Sequence, residues 1–152
     1  MNKISSSSKT QRLIKKSRQY CQSGRLEEAK LIYEDLLKII PLHPEVLGNL
    51  GTIELQNGNT ELGVAHLKKS ISIDPLQFNF LMNLGNGLLD LNNPLEGFFY
   101  YEAACKLNSQ SSDVFYNKGR AFKSLRRYQE AIESYKSSIK LDPRNYLAHM
   151  NL

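Results

Sequence analysis

The sequence predicts an all-α fold, an α-solenoid built from antiparallel helix pairs. Three observations predict it. Asn49-Leu50-Gly51, Asn83-Leu84-Gly85 and Asn117-Lys118-Gly119 stand 34 residues apart, and Asn151-Leu152 falls 34 further on. Self-similarity at one fixed period of this size marks a repeat array. Each period also holds two runs of helical spacing split by a turn. Finally, small residues recur at two fixed places: Ser17, Gly51, Gly85 and Gly119, then Ala29, Gly63, Gly97 and Ala131.

Residues 1–9 are polar and serine-rich, and composition predicts a disordered basic tail there. Repeats then run over 10–43, 44–77, 78–111 and 112–145, with a partial fifth over 146–152. In the first repeat a helix is expected over 10–23, ended by Gly24, a residue that tolerates positive φ. Leu26, Ala29, Tyr33, Leu36 and Leu37 mark a second helix over 26–39, and Pro41 stops it. The same reading places helices over 44–57 and 60–73, bounded by Asn57-Gly58 and Asp74-Pro75. In the third repeat Asn92-Asn93-Pro94 reads as a stop, an N-cap and a helix-starting proline between helices 78–91 and 94–107. Helices 112–125 and 128–141 follow, closed by Asp142-Pro143. No strand is expected.

A glycine inside a helix costs about 1 kcal/mol relative to alanine. Glycines kept at one repeat position therefore imply an offsetting gain, and close crossing of two helices supplies it. Tyr33, Leu67, Tyr101 and Tyr135, which share another repeat position, would fill the space beside them.

Composition bounds function. The chain is 41% hydrophobic and 23% charged, which indicates a globular protein. No apolar run approaches the ~18 residues of a membrane span. The first 20 residues lack the apolar core of a secretory signal. They carry Lys3, Lys9, Arg12, Lys15, Lys16 and Arg18 with no acid, so this stretch is +6 while the rest of the chain sums to −1. No aromatic side chains interleave these cations to stack bases, so a solubilising role is expected rather than nucleic-acid binding. Cys21 and Cys105 occupy different repeats at different positions, which suggests free thiols and a reducing, cytoplasmic location. The sequence shows no nucleophile–base set, phosphate-cradling loop or metal-ligand spacing. No enzyme chemistry, cofactor or metal is expected of it.

The repeats resemble the tetratricopeptide repeat (TPR) family from about Thr10 to the last residue. The family pattern is a small residue at repeat position 8, aromatic at 11, Gly near 15, Ala at 20, aromatic at 24, Ala at 27 and Pro at 32. The fourth repeat meets it best, with Gly119, Phe122, Tyr128, Ala131, Tyr135 and Pro143. Departures are Leu or Phe at position 4, Arg126 at the turn glycine and Ser109 at the proline. The resemblance implies a right-handed superhelix whose first helices line a concave groove. It also implies a protein-interaction scaffold for an extended peptide or a partner protein. The chain ends inside the first helix of a fifth repeat with no cap, so a longer parent protein and self-association through that end are expected.

The groove positions assigned by the resemblance include Asn49, Asn83 and Asn117, each at repeat position 6. An asparagine amide offers both a donor and an acceptor, so such a row can pair with successive peptide groups. It can equally brace neighbouring loops. Met82, Asn86, Tyr116, Arg120 and Lys123 flank the row and complete the candidate peptide-binding set. A carboxylate clamp of the chaperone-tail type is excluded: Ile14, Arg18, Asn49, Asn79 and Asn83 fill its first window and lack the cations. The asparagine row also resembles the substrate-recruiting arm of O-linked N-acetylglucosamine transferases, which is the alternative reading. In Phe98-Phe99-Tyr100-Tyr101, Phe98 and Tyr101 should face the core and the middle pair outward.

Overall fold

The computed structural model describes the backbone of residues 2–152 and the side chains from Ser8 onward. Among these residues there are only helices, joined by short turns. They are α1 (Asn2–Gln22), α2 (Leu26–Ile39), α3 (Pro44–Gln56), α4 (Thr60–Ile73), α5 (Phe78–Asp90), α6 (Pro94–Leu107), α7 (Ser112–Ser124), α8 (Tyr128–Leu141) and α9 (Tyr146–Asn151). The chain forms two compact bodies, Met1–Asp74 and Pro75–Leu152. The first pairs α1 with α2 and α3 with α4, and the second pairs α5 with α6, α7 with α8, and α8 with α9. None of these helices is long and apolar enough to cross a membrane.

Helix ends fall within a residue or so of the periodicity, except at the start. There α1 begins at Asn2, so the backbone of residues 2–9, expected as a disordered tail, is helical. The stretch contains no Gly or Pro to stop a helix propagating from the core-anchored part near Ile14. Met1 and the side chain of Lys3, part of the expected tail, lie outside the described residues.

One turn repeats four times. Gly24, Gly58, Asn92 and Arg126 share a repeat position, and each has positive φ, at 74°, 82°, 56° and 59°. The following N–H reaches back to a helix carbonyl: Arg25 to Tyr20, Asn59 to Glu54, Asn93 to Leu88 and Arg127 to Phe122, at 2.8–2.9 Å. The left-handed residue itself donates three residues back, as Gly24 does to Cys21 at 3.1 Å. This is the Schellman pattern, which satisfies the last carbonyls of the first helix. Asn93 sits at the N-cap of α6 but makes no capping bond; its amide donates to Glu96 at 2.9 Å instead.

The helix pairs cross tightly. A Cβ on Gly51 would lie 2.8 Å from the Gly63 carbonyl oxygen, and a Cβ on Gly63 would lie 2.8 Å from that of Gly51. A Cβ on Gly97 would lie 2.9 Å from the Gly85 oxygen. At Gly85 and Gly119 the obstacle is instead a tyrosine ring, with Tyr101 Cζ at 2.7 Å and Tyr135 Cζ at 2.9 Å. In the first repeat Ser17 takes this position, fully buried, and its hydroxyl donates to the Ile14 carbonyl at 2.9 Å.

Within the first body the core gathers Ile14, Ala29, Tyr33, Leu36, Val46, Leu50 and Ile53. Val46, Leu50 and Ile53 on α3 are buried here. The residues 34 earlier, at the same repeat positions on α1, are Arg12, Lys16 and Gln19, and all three are exposed. The face that is apolar on α3 is thus polar and exposed on α1. In the aromatic run Tyr101 is buried, Phe98 packs on Phe122 with ring centroids 4.7 Å apart, and Phe99 is 63% exposed, while Tyr100, expected to face outward with it, is half-buried.

Two stability measurements check this packing. Gly85→Leu should lower stability by about 1–3 kcal/mol in urea unfolding, because the new side chain meets the Tyr101 ring. Arg126→Gly should raise it by about 0.5–1 kcal/mol, since glycine relieves the left-handed backbone while adding freedom to the unfolded chain.

Candidate peptide-binding face

The candidate residues occupy first helices. Asn49 lies half-buried on α3 in the first body. The others fall in the second body, Met82, Asn83 and Asn86 on α5 and Tyr116, Asn117, Arg120 and Lys123 on α7. The helices α5 and α7 touch, so these seven residues lie on adjoining rods. Met82 is buried, Asn83 and Asn86 are half-buried, and Lys123 is exposed.

A hydrogen-bonded chain links the two helices. Asn86 Oδ1 accepts from the Tyr101 hydroxyl at 2.8 Å and from Arg120 Nη1 at 3.4 Å. Arg120 Nη1 also donates to Asn117 Oδ1 at 3.0 Å. Asn117 is only 7% exposed. Its amide oxygen is therefore engaged by Arg120 on the same helix. Lys123 Nζ donates to Asn151 Oδ1 at 2.9 Å, and Asn151 Nδ2 donates to the Leu147 carbonyl at 2.8 Å. Arg120 and Lys123 have no carboxylate partner, whereas Lys118 on the same helix pairs with Glu102. The face is accordingly cationic at its α7 end.

Two residues of this face are not evident from the sequence. Tyr101 and Tyr135 were expected only as fillers beside the glycines. Their rings do pass over Gly85 and Gly119; the Tyr101 hydroxyl reaches Asn86, the next residue of the first helix, and Arg120 stands near enough to the Tyr135 hydroxyl to act on it electrostatically. The spacing held the signal, since an aromatic at repeat position 24 lies over position 8 and must end near position 9. Burial pushes the Tyr101 hydroxyl pKa up, and Asp90 adds to this while Arg120 opposes it. Tyr135 is pushed up to about 12, first by burial and then by Tyr116, with Arg120 again opposing. The Tyr116 ring lies 6.0 Å from that of Tyr135.

The models of the tetratricopeptide repeat match residues 44–75 and 112–145, which coincide with the second and fourth repeats. The chain carries tetratricopeptide repeats. Its fold is shared with solved structures of low identity. "Crystal structure of MamA protein" has a TM-score of 0.84 at 22% identity, covering 93% of this chain and 78% of that one. A second MamA structure gives 0.82 at 23%, covering 89% and 79%. YrrB, described as "a TPR protein with an unusual peptide-binding site", gives 0.81 at 19%, covering 88% and 69%. No match is found among curated protein sequences.

The two tyrosines should behave differently when their hydroxyls are removed. Tyr101→Phe breaks the bond to Asn86 and should cost about 1 kcal/mol in thermal or urea unfolding. Tyr135→Phe breaks no bond within the protein and should leave stability unchanged or slightly raised.

Proposed function

We propose that the chain is a protein-interaction scaffold that holds an extended peptide, or an extended segment of a partner protein, against its first helices. The observation that carries this reading is the polar line over α5 and α7: Asn83, Asn86, Arg120 and Lys123, with Tyr116 beside it. A backbone in extended form presents alternating N–H and C=O groups, and side-chain amides can meet both. Asn49 is the equivalent residue on α3. Asn117 serves chiefly to aim Arg120. The peptide-binding site named for YrrB, a structure of the same fold, supports the reading by analogy.

The asparagine at repeat position 6 of each repeat from the second onward favours one further reading. On it, the chain is the substrate-recruiting arm of a larger glycosyltransferase of the O-linked N-acetylglucosamine class. A glycosyltransferase domain encoded in the same reading frame would distinguish the two.

The test is selection from a library of extended peptides, then titration of the chosen peptide against variants. Each amide bond lost should weaken binding by about 0.5–1.5 kcal/mol. Asn83→Ala should therefore have a measurable effect, and Asn83→Ala combined with Asn117→Ala, which also releases Arg120, should weaken binding by roughly tenfold to a hundredfold. Unchanged affinity in the folded double variant overturns the role of the asparagine row on α5 and α7.

A further inference from the structure

The third and fourth repeats share a plan but differ in one acceptor. In the third, the Tyr101 ring crosses Gly85 and its hydroxyl donates to Asn86 Oδ1 at 2.8 Å. In the fourth, the Tyr135 ring crosses Gly119 in the same way, with Cζ 2.9 Å from where a Cβ would stand. The residue that follows Gly119 is Arg120, which offers only donors. The Tyr135 hydroxyl is accordingly buried without a hydrogen-bond partner, in a side chain only 1% exposed. A buried hydroxyl without a partner is costly, and such groups call for a specific explanation.

Arg120 presents a related imbalance. Its Nη1 is held by two neutral amide oxygens, of Asn117 and Asn86, and no carboxylate pairs with it. Arg127 and Arg18, in contrast, each pair with a glutamate. Two neutral acceptors orient a guanidinium without neutralising it. Lys123 lies one helical turn further along α7, bonded only to the neutral Asn151 oxygen. Three donor groups thus gather on one stretch of α7 and α8, and the only acceptors they engage are neutral amide oxygens.

We propose that Arg120 and the Tyr135 hydroxyl form a site for a carboxylate side chain, an Asp or Glu of the bound peptide, with Lys123 adding charge at its rim. This rests on the peptide-face reading and names the ligand's chemistry. The carboxylate would take the place that the Asn86 amide oxygen takes beneath Tyr101, and its second oxygen would meet the free edge of the guanidinium. The half-buried Tyr116, its ring tilted 43° to that of Tyr135 with centroids 6.0 Å apart, would shift to admit it. A side-chain carboxylate is required here, so a peptide with both termini blocked should still bind.

The experiment uses the full chain and a library of peptides acetylated at the N-terminus and amidated at the C-terminus. Selected peptides should carry Asp or Glu at one fixed place. Replacing that residue by Gln or Asn should weaken binding by roughly tenfold to a hundredfold, as expected for a charged hydrogen bond. Arg120→Gln should remove most of the difference between the acidic and amide peptides. Tyr135→Phe should reduce it while leaving the unfolding midpoint unchanged or raised, which separates ligand contact from packing. Equal affinity for acidic and amide peptides overturns this inference and leaves the peptide-face reading standing. So does an unchanged acidic preference in both variants. Failure of every blocked peptide to bind overturns the peptide-face reading and this inference with it.

Discussion

The close crossing of paired helices is the constraint on which the rest depends. Gly51 and Gly63 each stand so near the other's carbonyl that neither could carry a Cβ without movement, and Gly97 stands equally near that of Gly85. Glycine is poor in helix interiors, so its presence at these points measures how much the contact contributes. Where the partner is a tyrosine, the glycine opens a slot under the first helix that the ring fills. Tyr101 and Tyr135 are both almost wholly buried as a result. The slot has a direction: it runs from the core between the helices to the face of the first helix. Packing therefore brings a phenolic hydroxyl close beneath the face of the first helix, still buried in the case of Tyr135.

That delivery connects the core to the proposed function. A tyrosine hydroxyl arriving at the face needs an acceptor, and in the third repeat Asn86 supplies it. The same oxygen also receives Arg120 from the neighbouring first helix, so one side-chain amide joins a core ring to a surface cation across two repeats. Asn117 accepts from the same guanidinium nitrogen of Arg120. The guanidinium is thus placed by packed and hydrogen-bonded groups, which lowers the entropy cost of using it in binding. Where arginine replaces the amide at the next repeat, the pattern is left one acceptor short.

Much of the fold was legible because its determinants are local. The 34-residue period, the helix-stopping prolines and the Gly24 and Gly58 turns all act through backbone preferences near them in sequence. Asn92 and Arg126 adopt the same left-handed turn with side chains less suited to it, because the helices on either side fix the path. The helical backbone of residues 2–9 was missed for the complementary reason: composition reads the serines as weak formers but not the helix that extends into them. The site was legible only in outline. Repeat position alone puts Asn83, Asn86, Arg120 and Lys123 on first helices. It does not reveal that Asn117 turns inward to hold Arg120, since that depends on side-chain direction across a three-residue spacing. Nor does it show that Tyr135 lacks the acceptor that Tyr101 has, which requires the two repeats to be compared in space.

The central claim is that ligands meet this chain on its first helices, at the α5–α7 surface. Amide and side-chain NMR mapping with a selected blocked peptide tests it most directly. The account predicts that shifts concentrate at Asn83, Asn86, Tyr116, Arg120 and Lys123, with the Asn86 side-chain amide and Arg120 guanidinium resonances among those most affected. The exposed second-helix surface at Leu95, Phe99 and Tyr128 should stay unchanged. Shifts confined to α6 and α8, with α5 and α7 silent, would contradict it.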